Sequence, residues 1–363
     1  MNFNKKSTKI GCIPNSNDFT HPQDRRRYIP YFRKNDILYE IAVYEKDYEI
    51  IYISLNADLN KWAGYKKKQR EKNKNVRVIF DLSDFYLVGG AISDCLRPFF
   101  HYISGRTAKL RSSYKSTVMD MIAGTDVLIC GSEEQKDLLK ELHQNVIVVR
   151  DYFLDDIKLF KTNYKLSNPN SINVLWEGLS HGNIEIFKML KHILSDLPGF
   201  RVNLHFISDS EYCKIGSKYL CKPTYSILKE IFGDTDVNFH FYDWNKTTFS
   251  LIATSCDLAL IPIPENPLMR SKPENKLLLY WFLGLPVITS NTHSYTRVMK
   301  AIDENYICSN YEEWREKLIN LASSTQAREK YMNSAAAYLK SNCSAEAIFD
   351  SYDKIFFGKN LIN

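Results

Sequence analysis

Residues 270–290 read RSKPENKLLLYWFLGLPVITS. Ser271 and Glu274 have capping-box spacing, and Pro273 suits the first turn of a helix. Gly284 ends that helix, and Pro286 keeps it from resuming before the apolar run of Val287 and Ile288. The spacing therefore predicts a helix from about 272 that runs straight into a buried strand. Free backbone N–H groups at its start, flanked by Arg270, Lys272 and Lys276, suit a diphosphate. Glu274 in that first turn counts against the idea, because its carboxylate would compete with phosphate. An ordinary capped helix is the plain alternative.

Outward from this stretch, short runs rich in Val and Ile alternate with longer amphipathic stretches, the pattern of a parallel sheet wrapped by helices. In the first half the strand candidates are KIGCI (9–13), EIIYIS (49–54), VRVIFDL (76–82), DVLICG (126–131) and VIVVRD (146–151). In the second they are INVLW (172–176), RVNLHFIS (201–208), VNFHFYDW (237–244), DLALIPI (257–263), PVITS (286–290) and NYICS (305–309). Ser132 with Glu133, Glu134 and Gln135 opens a helix after the fourth strand. The polar stretch KTNYKLSNPNSIN (161–173) reads as a linker. The expected fold class is α/β: two Rossmann-like domains, 1–165 and 170–335, facing a central cleft. Helices over 336–363 are expected to pack back on the first domain.

The chain has 363 residues, is 44% hydrophobic, and holds 14 Gly and 12 Pro, which excludes fibrous and low-complexity classes. Eight cysteines include no C-x-x-C pair and several lie in apolar runs, so all are expected as core thiols of a reducing compartment. The N-terminus lacks a signal-peptide apolar region, and no run reaches the roughly 18 residues of a membrane span. A cytoplasmic protein, acting at the inner face of a membrane, is expected. The net charge of +6 is uneven. KKKQREKNKNVR (66–77) and Arg25, Arg26 and Arg27 form basic clusters that attract phosphates, although such runs are usually solvated surface.

The pattern of Asn275, Lys276, Tyr280, Gly284, Pro286, Val287, Ile288 and Ser290 resembles the donor-site segment of GT-B glycosyltransferases. It is nearest to the family-4-like group that builds bacterial surface polysaccharides. The resemblance implies that this helix and the loop after it hold the nucleotide ribose and diphosphate. The residues so implicated are Arg270, Ser271, Lys272, Asn275 and Lys276, with the following turn Asn291–Tyr295, Ser294 and Tyr295 among them. INVLWEGLSHGNIEIF is similar to the family's first donor-domain strand and phosphate loop, placing Gly178, His181 and Asn183 at the phosphates. VNFHFYDWNKTTFSLIATSCDLALIPI is similar to its base-binding stretch, placing Tyr242 and Trp244 near the nucleobase; aromatics after a strand also serve as core. The chain departs from the pattern where retaining members carry Glu, having Leu279 before Tyr280 and Ser271 eight residues earlier. The usual Arg and Lys of the first phosphate loop are likewise absent, with Leu179 and His181 nearby instead.

The first half resembles the family only loosely. Asp81 and Asp84 leave the C-terminal end of a strand, where a carboxylate could deprotonate an acceptor hydroxyl or simply cap a helix. His21, Asp24, Arg25, Arg26 and Arg27 form a candidate docking patch for a phosphate-bearing acceptor. The expected partners are a nucleotide-sugar donor and a glycan or lipid-linked acceptor, with peripheral membrane contact. Fixed cations can stabilise the leaving diphosphate, so no metal and no cofactor beyond the co-substrate are expected. No G-x-G-x-x-G, Walker loop or HExxH occurs, so dehydrogenase, NTPase and zinc-hydrolase readings recede. An inactive protein that only binds nucleotide sugar remains open. A nucleic-acid binder is disfavoured, because aromatics do not interleave with the basic run.

Overall fold

The computed structural model describes residues 5–83, 86–88, 90–195, 197–215, 219–265 and 267–358. It divides into two compact units. The first comprises Met1–Tyr152, Ser271–Pro273 and Cys343–Asn363, and the second Phe153–Arg270 and Glu274–Asn342.

In the first unit six strands form one parallel sheet: β1 (Ile10–Ile13), β2 (Glu40–Ile41), β3 (Ile50–Ser54), β4 (Arg77–Asp81), β5 (Val127–Cys130) and β6 (Val146–Val148). Their order is β2-β1-β3-β4-β5-β6. Every residue of β3, β4 and β5 is buried, as a sheet covered on both faces requires. Ser132 accepts a hydrogen bond from the Gln135 N–H and so caps the helix Glu133–Leu139. The last helix, Ala345–Phe357, lays Tyr352 and Phe356 into an aromatic cluster with Tyr31, Phe32 and Tyr52. Arg77 closes its C-terminus, donating from Nη1 to the Ile355 and Phe356 carbonyls and from Nη2 to that of Gly358. A cation at a helix C-terminus meets the negative end of the macrodipole. The basic run 66–77 is thus not a uniform phosphate-attracting face: Arg77 is buried, Lys66 pairs with Asp126, and Lys72 and Lys74 pair with Asp47.

The second unit holds β7 (Ser171–Glu177), β8 (Arg201–Ser208), the antiparallel hairpin β9 (Glu211–Ile215) and β10 (Tyr219–Pro223), β11 (Asn238–Asp243), β12 (Leu258–Ile261), β13 (Val287–Ser290) and β14 (Ile307–Cys308). Its main sheet is parallel throughout, in the order β11-β8-β7-β12-β13-β14. Counted along the sheet's own strands this is 3-2-1-4-5-6, the doubly wound Rossmann order, with its switch point between β7 and β12. The helix Asn275–Phe282 stops as the sequence implies. Gly284 at φ +80° donates its N–H to Trp281, and Leu285 donates to Tyr280, a Schellman closure. A Cβ at Gly284 would lie 2.4 Å from the Lys161 carbonyl oxygen, so both conformation and space require glycine.

Two expectations are corrected. Cys213 and Cys221 are not thiols: the hairpin sets them opposite each other as a disulfide. A disulfide is characteristic of oxidising compartments and does not fit the reducing one expected. The helix also begins at Asn275 and not near 272: Glu274 stands at its N-cap and turns its carboxylate to Arg297.

Burial holds two imidazoles down to about 4, His101 of the first unit beside Arg106 and Arg97, and His205 of the second beside His240. The ordinary value is 6.5, so between about 6.5 and 4 the unfolded chain binds protons that the folded one refuses. Stability is therefore present above 6.5 and lost as pH falls toward 4. The melting temperature should drop across that window, and His205→Asn should flatten part of the drop. A profile indifferent to this change would remove His205 as a cause.

Candidate functional site

Parallel strands deliver their C-terminal ends to one edge of the sheet, and at the switch point diverging connections leave room for a ligand. In the second unit Lys276 occupies this place. Its ammonium donates to the carbonyl of Glu177, the last residue of β7, and stands 4.9 Å above the Trp176 ring. A Cβ on Gly178 would come within 2.8 Å of Lys276 Nζ, so glycine lets the cation reach the strand end. Tyr280, one turn further on, accepts the Glu177 N–H at 2.9 Å and locks the helix to the strand. Lys and Tyr at this spacing thus have a physical reason.

No side chain caps this helix at Glu274, nor the helix His293–Lys300 at Thr292. Thr292 is 2% exposed, and its hydroxyl has no hydrogen-bond partner; the side-chain oxygen of Asn275 is likewise shielded and unpartnered. Two helix starts therefore present N–H groups beside unpaired polar oxygens. Glu274, 0% exposed, accepts from Arg297 at 2.9 Å, so its carboxylate is partly neutralised. Thr292 lies in the turn 291–295 that the resemblance implicates, whereas Arg297 was not signalled by the sequence, since its role depends on the second helix lying against the first. Ser294 and Tyr295 lie buried on that second helix. Arg270 reaches the Asn291 carbonyl and pairs with Glu265. It borders a cavity of about 500 Å³ lined also by Glu185, Asn291, Tyr311 and Trp314. Ser271 and Lys272 group with the first unit.

The loop 178–183 is held from below. Asp209 accepts the Ser180 N–H and hydroxyl, Ser208 donates to the Gly178 carbonyl, and His181 Nδ1 meets the Cys213 carbonyl at 2.5 Å. Asn183 donates to the Leu179 carbonyl. Asp209 is a residue the sequence reading missed; an acid just past a strand end was the available sign. Tyr242 stacks parallel to His205 at 5.9 Å and bonds it at 3.2 Å, so its ring belongs to the sheet face. Trp244 stands past the strand end, half-buried against Phe249.

In the first unit the expected docking patch is mostly internal. Arg27, 1% exposed, grips Asp81 through Nε (2.6 Å) and Nη2 (3.0 Å) and also meets Asp151 at 3.1 Å. Tyr52 donates to the same Asp81 carboxylate. Asp81 is corrected accordingly: burial raises its pKa, but all its neighbours are structural partners and none leaves it open to a hydroxyl. Asp24, 0% exposed, accepts the backbone N–H groups of Asn15 and Ser16 and organises that loop. Arg26 is 9% exposed. His21 and Arg25 remain half-exposed, the former accepting the Gln23 N–H and the latter donating to the Thr20 carbonyl. Asp84 lies outside the described residues.

Among the described residues one group has metal-ligating chemistry, Glu211 with Cys213 and Cys221, and its sulfurs are bonded to each other. The second half's only D-x-D, Asp234–Asp236, precedes β11 at the opposite edge of the sheet, with Asp234 paired to Lys191.

No protein-family model matches the chain, and no curated protein sequence does. Solved structures do. A glycosyltransferase from Rickettsia africae ESF-5 superposes with a TM-score of 0.58 at 12% identity, over 98% of this chain and 100% of that one. The apo structure of OtsA gives 0.57 at 11%, over 94% and 85%. A mutant S. aureus TarM in complex with Fondaparinux, alpha-GlcNAc-glycerol and UDP gives 0.53 at 10%, over 85% and 55%. The chain thus spans about half the length of TarM. The likeness is one of fold: two Rossmann-like units with a helical C-terminal region, the GT-B architecture.

Proposed function

We propose that this chain is a glycosyltransferase that moves a sugar from a nucleotide-sugar donor to a carbohydrate or lipid-linked acceptor, as in bacterial polysaccharide or glycan synthesis. The observation that carries the reading is Lys276 at the switch point, beside two helix starts that no side chain caps, on a GT-B fold. There the diphosphate would receive one fixed cation and several N–H groups, which stabilise charge developing on the leaving group without reorganisation. Trp244 would stack on the base and Asp84 would serve the acceptor hydroxyl. Incubation with a panel of nucleotide sugars tests this: slow donor hydrolysis is expected, and nucleotide binding without any turnover would favour an inactive binder. That second reading draws on Leu279, a buried apolar residue where retaining relatives would carry a carboxylate.

Replacing Lys276 by Ala should weaken nucleotide diphosphate affinity by about 1.5 to 3 kcal/mol, the range of a charge-assisted hydrogen bond. Isothermal titration on folded variant decides it, and unchanged affinity would move the donor site elsewhere. Turnover should also survive EDTA, because Lys276 and the two helix starts would stabilise the leaving diphosphate without a metal ion. Activity that vanishes with EDTA and returns only with Mg²⁺ or Mn²⁺ would contradict this.

A further inference from the structure

The helix Ala91–Ile103 in the first unit is mounted with its polar side inward. Asp94 accepts the Ser113 hydroxyl at 2.7 Å and the Lys115 N–H at 2.6 Å. Arg97 lies 5.0 Å over the Tyr114 ring, His101 packs edge-on against the same ring at 5.3 Å, and Pro98 is buried between them in sequence. Positions 94, 97, 98 and 101 form one helical stripe, so the opposite stripe must face out. That outer stripe is apolar: Leu96, Phe99, Phe100 and Tyr102 are each 47–48% exposed and Ile103 is 65% exposed, with Leu110 just beyond at 52%. Soluble surfaces rarely gather so many large apolar side chains on one helix without a partner.

The surrounding charge says which partner. Residues 91–115 contain Arg97, Arg106, Lys109, Arg111 and Lys115 against the single acid Asp94; of these Arg97 faces Tyr114 and Arg111 pairs with Asp120, which leaves Arg106 and Lys109 as the cations beside the stripe. Arg106 and Lys109 are exposed within seven residues of the apolar stripe. Aromatic and aliphatic groups flanked by cations are the pattern of a helix lying in the plane of a bilayer surface, its rings at the headgroup level and its cations on lipid phosphates. No helix among the described residues is long and apolar enough to cross a membrane, so contact would be from one side.

We infer that this helix and the segment through Lys115 dock the chain on a bilayer containing anionic lipids. The inference deepens the lipid-linked-acceptor reading and rests on it for its biological sense. Its test uses no donor, so a failed vesicle assay leaves the transferase reading standing and a failed hydrolysis assay leaves the docking standing.

The full chain is sedimented with vesicles of phosphatidylcholine alone and of phosphatidylcholine with about one third phosphatidylglycerol. Partition should favour the anionic vesicles by about ten-fold or more and fall as salt is raised. Phe100→Asp with Ile103→Asp, both on the exposed stripe, should lower it by at least about ten-fold, and Arg106→Glu with Lys109→Glu by a similar factor. Circular dichroism and melting temperature of both variants should match the parent. Equal binding to neutral vesicles, no binding to anionic ones, or partition indifferent to both pairs of changes would overturn the inference. So would a lipid-free dimer in analytical ultracentrifugation that Phe100→Asp with Ile103→Asp splits, since the stripe would then meet a second copy.

Discussion

Arg27→Ala is expected to destabilise the first unit by about 3 to 5 kcal/mol, because it removes the buried guanidinium that pairs with both Asp81 and Asp151. Asp81 is 3% exposed and Asp151 9%, and Arg27 is the side chain that meets both. The Val149 carbonyl also loses its donor. For a unit of this size the melting temperature should fall by roughly 6 to 20 °C. Arg25→Ala, removing a half-exposed guanidinium bonded to the Thr20 carbonyl, should change stability by about 1 kcal/mol at most. Calorimetry on the two variants separates a structural cluster from a docking patch. Equal and small effects would return Arg27 to the surface role expected from the RRR run.

Asp84→Asn carries the second large effect, a fall in turnover of about 10² to 10⁴ with melting temperature and nucleotide affinity preserved, as loss of a general base requires. The expectation sharpens because its neighbour is occupied: with Asp81 gripped by Arg27 and Tyr52, Asp84 is what remains of the pair. Asp81→Asn should instead soften the fold. If Asp84→Asn does no more than that, Asp84 is a helix cap, costing about 1 kcal/mol. The base would then be sought at His21, because Asp24 is buried under the Asn15 and Ser16 amides and Asp18 accepts the Thr20 hydroxyl.

The central strand candidates could be read from sequence because a strand buried on both faces is largely apolar along its length. β3, β4 and β5 show no exposed position. The helix end at Gly284 was legible for a similarly local reason, since positive φ and a following proline leave few alternatives. What escaped was short or polar: the two-residue edge strand β2, and the hairpin β9–β10. The hairpin's disulfide was hidden because eight-residue separation says nothing about which strands face each other.

Charged residues divide along the same line. Sequence alone determined how many cations there are and that Lys276 follows a strand-to-helix turn; it could not determine what each cation would touch. Arg25, Arg26 and Arg27 are consecutive, yet the last is sealed in the core by acids 54 and 124 positions away. Arg77 ends a basic run and closes a helix some 280 residues on. The helix 91–103 has the composition of an ordinary amphipathic segment, and only the tertiary structure turns its apolar side outward, because Tyr114 and Ser113 take its polar side. Local pattern fixes period and stop, since both depend on neighbours along the chain. Burial of a charge depends on whether a partner arrives from elsewhere in the fold, and that is a property of packing alone.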